Sequence, residues 1–362
     1  MSAAGRGVLI MAGGTGGHIF PGLAVADSLG NRGVKVHWLG ARGGMECEKV
    51  LAAGIPLDVV DISGLRGKGA LRWLLMPWKL LRAVAQAFRI LGRHRPACAI
   101  SFGGYAAGPG GLAARLRGIP LLVHEQNRIP GMTNKVLARL AQKVLQAFPA
   151  TWEDALRPET CGNPVRKSVA GLARPALRMA GRKGPVRVLV TGGSQGARAL
   201  NRTVPAALSL LQPGLAVEIH HQAGKGWGEE TTETYRVAKL EAEVSEFIKD
   251  MAAAYGWADI VICRSGALTV SELAAAGVAS LLVPFPHAVD DHQTRNGEFL
   301  VEAGAALLMP EAGLSARALA SALEPLITDR ERLVDMAEKA RSVSVPDAAD
   351  RVADLCREYL TA

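Results

Sequence analysis

A short pattern occurs twice in this chain, and its repetition constrains the fold more than any other feature. Residues 8–17, VLIMAGGTGG, run from apolar residues through two glycines and a threonine into more glycine. Residues 188–196, VLVTGGSQG, repeat that order about half the chain later. An apolar strand that turns at glycines into a helix opens a doubly wound α/β domain. Two copies therefore predict two such domains of similar size.

Apolar runs alternate with Ala- and Leu-rich helical stretches throughout, as in parallel sheets covered by helices on both faces. The fold class is α/β, with two Rossmann-like doubly wound domains facing a cleft, where the strands' carboxyl ends bind ligands. Pro164 and the polar residues after it interrupt the pattern, which predicts an N-terminal domain over 1–163 and a C-terminal domain over 164–342. We also predict that a helix at about 343–362 packs back on the first domain. The predicted strands are residues 7–11, 34–39, 97–102, 120–124, 186–191, 216–221, 258–263 and 279–283.

Composition narrows the class of protein. The five cysteines have no Cys-x-x-Cys spacing, which argues against a zinc site or a disulfide framework and favours a reducing cytoplasm. Neither an export signal nor an apolar run of about 18 residues is present, so we expect no membrane-spanning helix. The net charge of +9 suits an anionic partner. Nucleotides, phospholipid head groups and nucleic acid are partners of this kind. Because only 5% of residues are aromatic, nucleic acid is the least favoured of the three.

The two glycine turns have two interpretations. Such a turn brings backbone N–H groups close to a phosphate, or it only lets a helix pack tightly on a sheet. A dinucleotide site is disfavoured, since Ile19 occupies the place of the third glycine and the second strand ends at Gly40 without a ribose-binding acid. No Gly-Lys-Ser/Thr follows either turn, which excludes a P-loop.

Three polar stretches follow apolar runs. HEQN (124–127) places Glu125 and Asn127 at a strand end, where we expect them to face a ligand. In CRSGALTVSEL (263–273), a helix begins near Gly266, where its free N–H groups suit a diphosphate. Glu272 then either binds a ribose diol or is a solvated helix residue. The acidic and histidine residues of PFPHAVDDHQTRN (284–296) match no metal-ligand spacing, so we predict no metal.

Taken in order, nine motifs carry a family resemblance: GGTGGHIFPGLAVA, GLRGKG, FGGYAAGPGG, HEQN, GNPVR, GGSQGA, DMAAAYGWAD, CRSGALTVSELAAAG and DDHQTRN. From about residue 7 onward the chain resembles the glycosyltransferase family 28 enzymes of bacterial peptidoglycan synthesis. The resemblance implies the GT-B fold and inverting transfer of GlcNAc from UDP-GlcNAc to the MurNAc 4-hydroxyl of lipid I, giving lipid II. It implies no cofactor and a peripheral location on the cytoplasmic face of the plasma (inner) membrane. The partners are UDP-GlcNAc, lipid I and an anionic membrane surface, with room for other cell-wall enzymes.

The same resemblance assigns roles to individual residues. Asn127 corresponds to a sugar contact, Ile248 to a backbone contact with uracil, and Gln293 to a GlcNAc hydroxyl contact. Arg166 and Ser194 correspond to contacts with the nucleotide and its phosphates. The remaining substrate-binding positions contact the donor through the first glycine turn (Thr15, Gly16, Gly17) and the second-domain helix (Ala267, Leu268, Thr269, Val270, Ser271, Glu272).

Inverting transfer needs a base for the acceptor hydroxyl. His18 closes a glycine turn and has a near-neutral reference pKa, so it is our first candidate for the catalytic base, and Glu125 is the second. In the alternative, His18 only orients the turn or binds a phosphate. Other functions considered are a sugar-nucleotide epimerase of the same fold, an NAD-dependent oxidoreductase and a non-enzymatic nucleotide-binding regulator.

Residues 64–96 combine aromatic and aliphatic side chains with cations and contain no acidic residue. Such a stretch either packs as an ordinary amphipathic helix or lies in a lipid interface. We predict a membrane patch on the first domain; its residues are Lys68, Arg72, Trp73, Leu75, Trp78, Lys79 and Arg82.

Overall fold

The computed structural model describes residues 6–62, 76–193 and 195–360, with the side chain of Val289 excepted. Within it the chain forms two compact units. Unit 1 comprises Met1–Arg166 and Val345–Ala362, and unit 2 comprises Lys167–Ser344. Each unit contains its own parallel sheet with helices packed on it.

Unit 1 has a seven-stranded sheet in the order β3-β2-β1-β4-β5-β6-β7. Its strands are β1 (Val8–Ala12), β2 (Val36–Ala41), β3 (Leu57–Val60), β4 (Cys98–Gly103), β5 (Leu121–Glu125), β6 (Lys143–Gln146) and β7 (Glu159–Thr160). Its helices are α1 (Gly16–Gly30), α2 (Glu46–Ala52), α3 (Met76–His94), α4 (Ala107–Leu116) and α5 (Met132–Ala138).

The last helix of the chain belongs to unit 1. This helix, α15 (Ala348–Arg357), packs against α1 and places Val352 and Cys356 in the same core as the first strand. The Asp350 carboxylate accepts hydrogen bonds from the Ser28 hydroxyl at 2.5 Å and from the Arg32 guanidinium at 2.8 Å. The end of the chain therefore covers apolar surface of the first sheet that α1 alone leaves open.

Unit 2 has a six-stranded sheet in the order β10-β9-β8-β11-β12-β13. Its strands are β8 (Val186–Thr191), β9 (Val217–Gln222), β10 (Glu243–Ser245), β11 (Ile260–Cys263), β12 (Ala279–Leu282) and β13 (Ala306–Leu308). Its helices are α6 (Lys167–Ala170), α7 (Pro175–Arg178), α8 (Arg198–Leu208), α9 (Gly228–Val237), α10 (Met251–Trp257), α11 (Ala267–Ala276), α12 (His292–Glu302), α13 (Ala316–Ile327) and α14 (Arg330–Ser342).

The two sheets confirm the predicted α/β class and its two Rossmann-like domains. The eight predicted strands correspond to observed ones, while β3, β6, β7, β10 and β13 were not predicted. These five strands have two to four residues each and most contain few fully buried positions. A run that short carries little periodicity, and neighbouring strands decide whether it pairs.

Candidate active site residues in the two units

The first glycine turn, residues 13–17, packs directly on another glycine turn of unit 1, Gly103–Gly104, which follows β4. In unit 1 the chain reverses its strand order between β1 and β4, the place where doubly wound sheets bind ligands. Gly104, after β4, has φ +92, and a Cβ there would overlap the Gly13 carbonyl. Only glycine combines that dihedral angle with so close a backbone approach.

Thr15 is the N-cap of α1, and Gly16 and Gly17 are its first two residues. The N–H groups of a first helical turn have no partner within the helix and favour a negative group. The predicted donor-contacting residues 15–17 therefore lie where an anion or a sugar hydroxyl can bind.

His18 lies beside both glycine turns. Its Nδ1 is 3.0 Å from the Gly13 carbonyl oxygen and 3.4 Å from the Thr15 hydroxyl. Because a carbonyl only accepts, this hydrogen bond places the proton on Nδ1 and leaves the lone pair on Nε2 in the neutral ring. A Cβ on Gly103 would be 3.4 Å from Nε2, so the glycine leaves space next to that nitrogen. The geometry suits a group that accepts a proton at Nε2.

Glu125 is 1% exposed, and both oxygens of its carboxylate are hydrogen-bonded. Oε1 accepts from the backbone N–H groups of Gln126 and Asn127 and from the Asn127 side-chain amide. Oε2 accepts from the Gly131 N–H at 3.1 Å and from the Asn134 amide at 2.9 Å. Five donors occupy this carboxylate, which orders the loop after β5 and the side chain of Asn127.

Asn134, which the sequence interpretation did not single out, connects this loop to the glycine turns. Its amide accepts from the Ser101 hydroxyl at 2.9 Å and donates to the His124 carbonyl at 3.1 Å. Ser101 in turn accepts from the Gly103 N–H. The polar chain joins β4, β5 and α5 beneath the space beside His18.

Arg166 lies at the end of unit 1, with its guanidinium carbon 5.9 Å from the centre of the Phe20 ring on α1. Arg166, predicted to contact the nucleotide, therefore belongs to unit 1 and not to unit 2.

In unit 1 the glycine turn packs on the turn after β4; in unit 2 the corresponding glycine turn packs on the loop after β9. A Cβ on Gly196, whose φ is +75, would overlap the carbonyl of Ala223, so this turn packs on the loop after β9. The Gln222 amide donates to the Gly193 carbonyl at 3.0 Å and to the Glu246 carbonyl at 2.9 Å. Gln222 thereby joins the glycine turn to the loop that contains Ile248. Ser194 lies outside the described residues.

Helix α11 begins at the point of unit 2 where the strand order reverses, between β8 and β11. Gly266 is its N-cap, and within the described part of the chain no side chain caps the first turn. The predicted donor-contacting residues Ala267–Glu272 occupy its first six positions. Glu272 is 4% exposed, and its carboxylate accepts a hydrogen bond from the Tyr255 hydroxyl at 3.3 Å. A solvated helix glutamate is therefore the wrong interpretation of this residue.

Gln293 is the second residue of α12, and its side-chain carbonyl accepts from the Phe285 N–H at 2.9 Å. Arg264, not predicted from sequence, fixes the other side of the same loop. Its guanidinium donates to the carbonyls of Val283 and Pro284 and forms an ion pair with Glu311 at 2.5 Å. The loop after β12 is thus held at both ends. Ile248 lies half-buried between β10 and α10.

Comparison with known proteins decides the family. Residues 8–146 match the model of the glycosyltransferase family 28 N-terminal domain, and residues 187–352 match that of the family 28 C-terminal domain. The chain belongs to glycosyltransferase family 28.

A curated family 28 relative from Marinobacter nauticus is 52% identical over 98% of this chain and 97% of its own. It is named UDP-N-acetylglucosamine--N-acetylmuramyl-(pentapeptide) pyrophosphoryl-undecaprenol N-acetylglucosamine transferase. The crystal structure of MurG from Acinetobacter baumannii superposes with a TM-score of 0.84 at 41% identity, covering 98% of this chain and 99% of that one.

The UDP-GlcNAc 2-epimerase of Neisseria meningitidis has a TM-score of 0.66 at 12% identity, covering 98% of this chain and 100% of its own. That likeness shows the fold alone. The epimerase alternative is therefore not favoured, since the relatives that share half the sequence are named as transferases.

The predicted membrane patch of this family 28 chain lies partly outside the described residues, which do not include Lys68, Arg72, Trp73 and Leu75. Trp78, Lys79 and Arg82 lie in the first two turns of α3, where Trp78 is 70% exposed. The Arg82 guanidinium is 3.5 Å from the Asp61 carboxylate. Among the described residues, no helix is long and apolar enough to cross a bilayer.

Among residues 6–62, 76–193 and 195–360 no group of three or more His, Cys, Asp and Glu side chains is arranged to hold a metal ion.

Proposed function

We propose that this chain transfers GlcNAc from UDP-GlcNAc to the MurNAc 4-hydroxyl of lipid I and so makes lipid II. The observation that carries this proposal is the 52% identity, over nearly the whole chain, to a relative named for that transfer. Both family 28 domains support it, because donor and acceptor chemistry each need a site.

The proposed reaction is a single inverting displacement. The acceptor oxygen forms a bond to the anomeric carbon, the bond from that carbon to the diphosphate oxygen breaks, and its electron pair leaves with UDP. The hydroxyl proton passes to Nε2 of His18. Nδ1 is already committed to the Gly13 carbonyl, so Nε2 is the nitrogen available for this step. Glu125 is the weaker candidate, since five donors already occupy its carboxylate.

We place the donor nucleotide on unit 2. The uncapped N-terminus of α11 lies at the strand reversal, where its N–H groups stabilise the charge that develops on the departing diphosphate. Glu272 is within the second turn of that helix and suits the ribose hydroxyls. The loop tied down by Gln222 brings the backbone near Ile248 to the uracil in this proposal.

We further propose that the protein binds the cytoplasmic face of the membrane through α3. Buried Ala83, Ala87, Ile90 and Leu91 form the face toward the sheet. Trp78 and Leu81 remain 70% and 63% exposed, next to Lys79. An exposed indole with neighbouring cations is typical of a surface that docks on anionic lipid.

The transfer is tested by incubating the purified protein with UDP-GlcNAc and a short-chain lipid I analogue. We expect a lipid-linked disaccharide and one UDP for each sugar transferred. Acceptor-independent conversion of UDP-GlcNAc to UDP-N-acetylmannosamine, or, with uptake of one water, to UDP and free N-acetylmannosamine, would instead identify an epimerase.

A further inference from the structure

A buried carboxylate lies under the first glycine turn. Glu46, at the start of α2, is completely buried. Its Oε1 accepts from the Ala41 N–H at 2.7 Å, and its Oε2 accepts from the Gly14 N–H at 3.2 Å. A Cβ on any of three surrounding glycines would collide with this side chain; they are Gly13, Gly40 and Gly44. The three glycines therefore leave room in the backbone for this buried carboxylate.

The Gly13–Gly14 peptide group joins this carboxylate to the candidate base. Its carbonyl oxygen accepts the Nδ1 proton of His18 at 3.0 Å, and its N–H donates to Glu46 at 3.2 Å. One peptide group is thus hydrogen-bonded on both sides, to an imidazole and to a carboxylate. Hydrogen bonds in such a chain polarise one another, so a negative group at the N–H makes the carbonyl a stronger acceptor.

The hydrogen bond from the Gly14 N–H to Glu46 affects the charge that His18 can carry. His18 is the third residue of α1, where the positive end of the helix dipole disfavours the imidazolium that forms when the base takes a proton. A carboxylate reached through the peptide offsets that effect and fixes the Nδ1–H tautomer, so that Nε2 faces the space beside Gly103.

We propose that Glu46 is a positioning residue that holds and polarises His18 through the Gly13–Gly14 peptide group. The inference rests on the proposed function, in which His18 is the base. Other charged groups border this region: Glu125 reaches Gly103 through Asn134 and Ser101, and Arg166 lies over Phe20 of α1. Glu46 is the charged side chain that accepts the N–H of the peptide group holding His18.

The test is an NMR titration of ring-labelled histidine, with the His18 signals identified by their loss in His18→Gln. In wild type we expect the Nδ1–H tautomer. In Glu46→Gln we expect the pKa of His18 to fall by about half a unit or more, as for loss of a nearby opposite charge. We expect kcat to fall about tenfold with little change in KM for UDP-GlcNAc, and the acidic limb of the kcat profile to move to lower pH.

Glu48→Gln is the matched control, because Glu48 lies on the same helix with its side chain 79% exposed. We expect it to leave the His18 titration unchanged. Glu46→Asp keeps the charge and should restore part of the pKa. An unchanged His18 pKa and tautomer in folded Glu46→Gln, or an Nε2–H tautomer in wild type, overturns the proposal. Turnover retained in His18→Gln would remove His18 as the base, while the titration would still decide the coupling to Glu46.

Discussion

His18 makes its ring hydrogen bond through Nδ1, to the backbone carbonyl of Gly13, and its side chain is only partly buried. His124, by contrast, is completely buried, donating from Nε2 to the Gly162 carbonyl and accepting from Gln126. Burial lowers the pKa of His124 to about 4, so this ring stays neutral at physiological pH. The His18 ring is only partly buried, and with Nδ1 donating to Gly13 its Nε2 has the lone pair, which makes it the better base.

Replacing His18 by alanine should abolish most proton transfer and leave donor binding intact. A positioned general base typically contributes about 10²–10⁴ to the rate, so we expect kcat to fall at least about 100-fold. KM for UDP-GlcNAc should change little. Steady-state kinetics with both substrates varied measure these quantities. His220→Ala, in β9 of unit 2, is the control and should keep normal turnover; near-normal kcat in His18→Ala would remove the assignment.

Glu272→Ala should weaken UDP binding by about 1–3 kcal/mol, the usual cost of losing hydrogen bonds to a charged group. The physical reason is that a buried carboxylate near the N-terminus of α11 accepts from a ribose diol without a large desolvation cost of its own. Isothermal titration with UDP measures the change. Glu229→Ala, exposed on α9, is the matched control. If Glu272→Ala binds UDP as tightly as wild type, this residue does not contact the ribose.

At the scale of elements, α3 shows how one helix serves two surfaces. Its buried face uses Ala83 and Ala87, whose small side chains allow close packing on the sheet and on α4. Two carboxylates in and after β3 accept hydrogen bonds from polar side chains of α3. Asp61 accepts from the Gln86 amide at 2.7 Å, and Asp58 accepts from the Arg93 guanidinium at 3.0 Å. Trp78 and Leu81 lie outside this anchored face, with 70% and 63% of their surface exposed.

Liposome co-sedimentation tests the docking of α3. Trp78→Ser with Leu81→Ser should lower the sedimented fraction, because the apolar contribution to lipid binding is lost. Reversing Lys68, Arg72 and Lys79 to Glu should weaken binding to anionic vesicles more than tenfold, since each cation contributes about 1 kcal/mol. Added salt should have a similar effect.

Leu177→Ser with Val237→Ser is the matched control, since these unit 2 side chains are 74% and 70% exposed. If the Trp78/Leu81 variant and the Lys68/Arg72/Lys79 variant both sediment like this control and like wild type, the protein binds lipid elsewhere.

At the scale of the whole molecule, each unit contains a buried neutral histidine, and together these make the fold sensitive to acid. Burial lowers the pKa of His124 to about 4 and that of His221 to about 3, from an ordinary value of 6.5. Between pH 6.5 and those values the unfolded chain binds protons that the folded chain does not. The free energy of unfolding therefore decreases as the pH falls, by about 1.4 kcal/mol per pH unit for each histidine.

Denaturant unfolding at a series of pH values from 7.5 to 5 checks this expectation. We expect His124→Gln and His221→Gln to be less stable than wild type at pH 7.5 but to lose less stability on acidification. The exposed His287→Gln should follow the wild-type slope. Equal slopes in all four proteins would show that other groups cause the acid sensitivity.

The sequence by itself determined the class of fold, the two glycine turns and the strands with long apolar runs. These features are local: a buried strand such as β1 needs consecutive apolar residues, and a turn residue such as Gly14, with φ +88, favours glycine whatever surrounds it. The order of the motifs also indicated the family and the transfer reaction. Helix α11 and its N-terminal glycine were evident for the same local reason.

Only the tertiary structure decided which polar side chains are hydrogen-bonded within the fold and which can bind a ligand. The sequence pointed to Glu125, at a strand end, and not to Glu46, yet Glu46 lies under a turn 32 positions away from it in the chain and Glu125 orders its own loop. The short strands β3, β6, β7, β10 and β13 likewise depended on the strands they pair with. A carboxylate's role follows from the donors that surround it, and those donors come from segments that meet only when the chain folds.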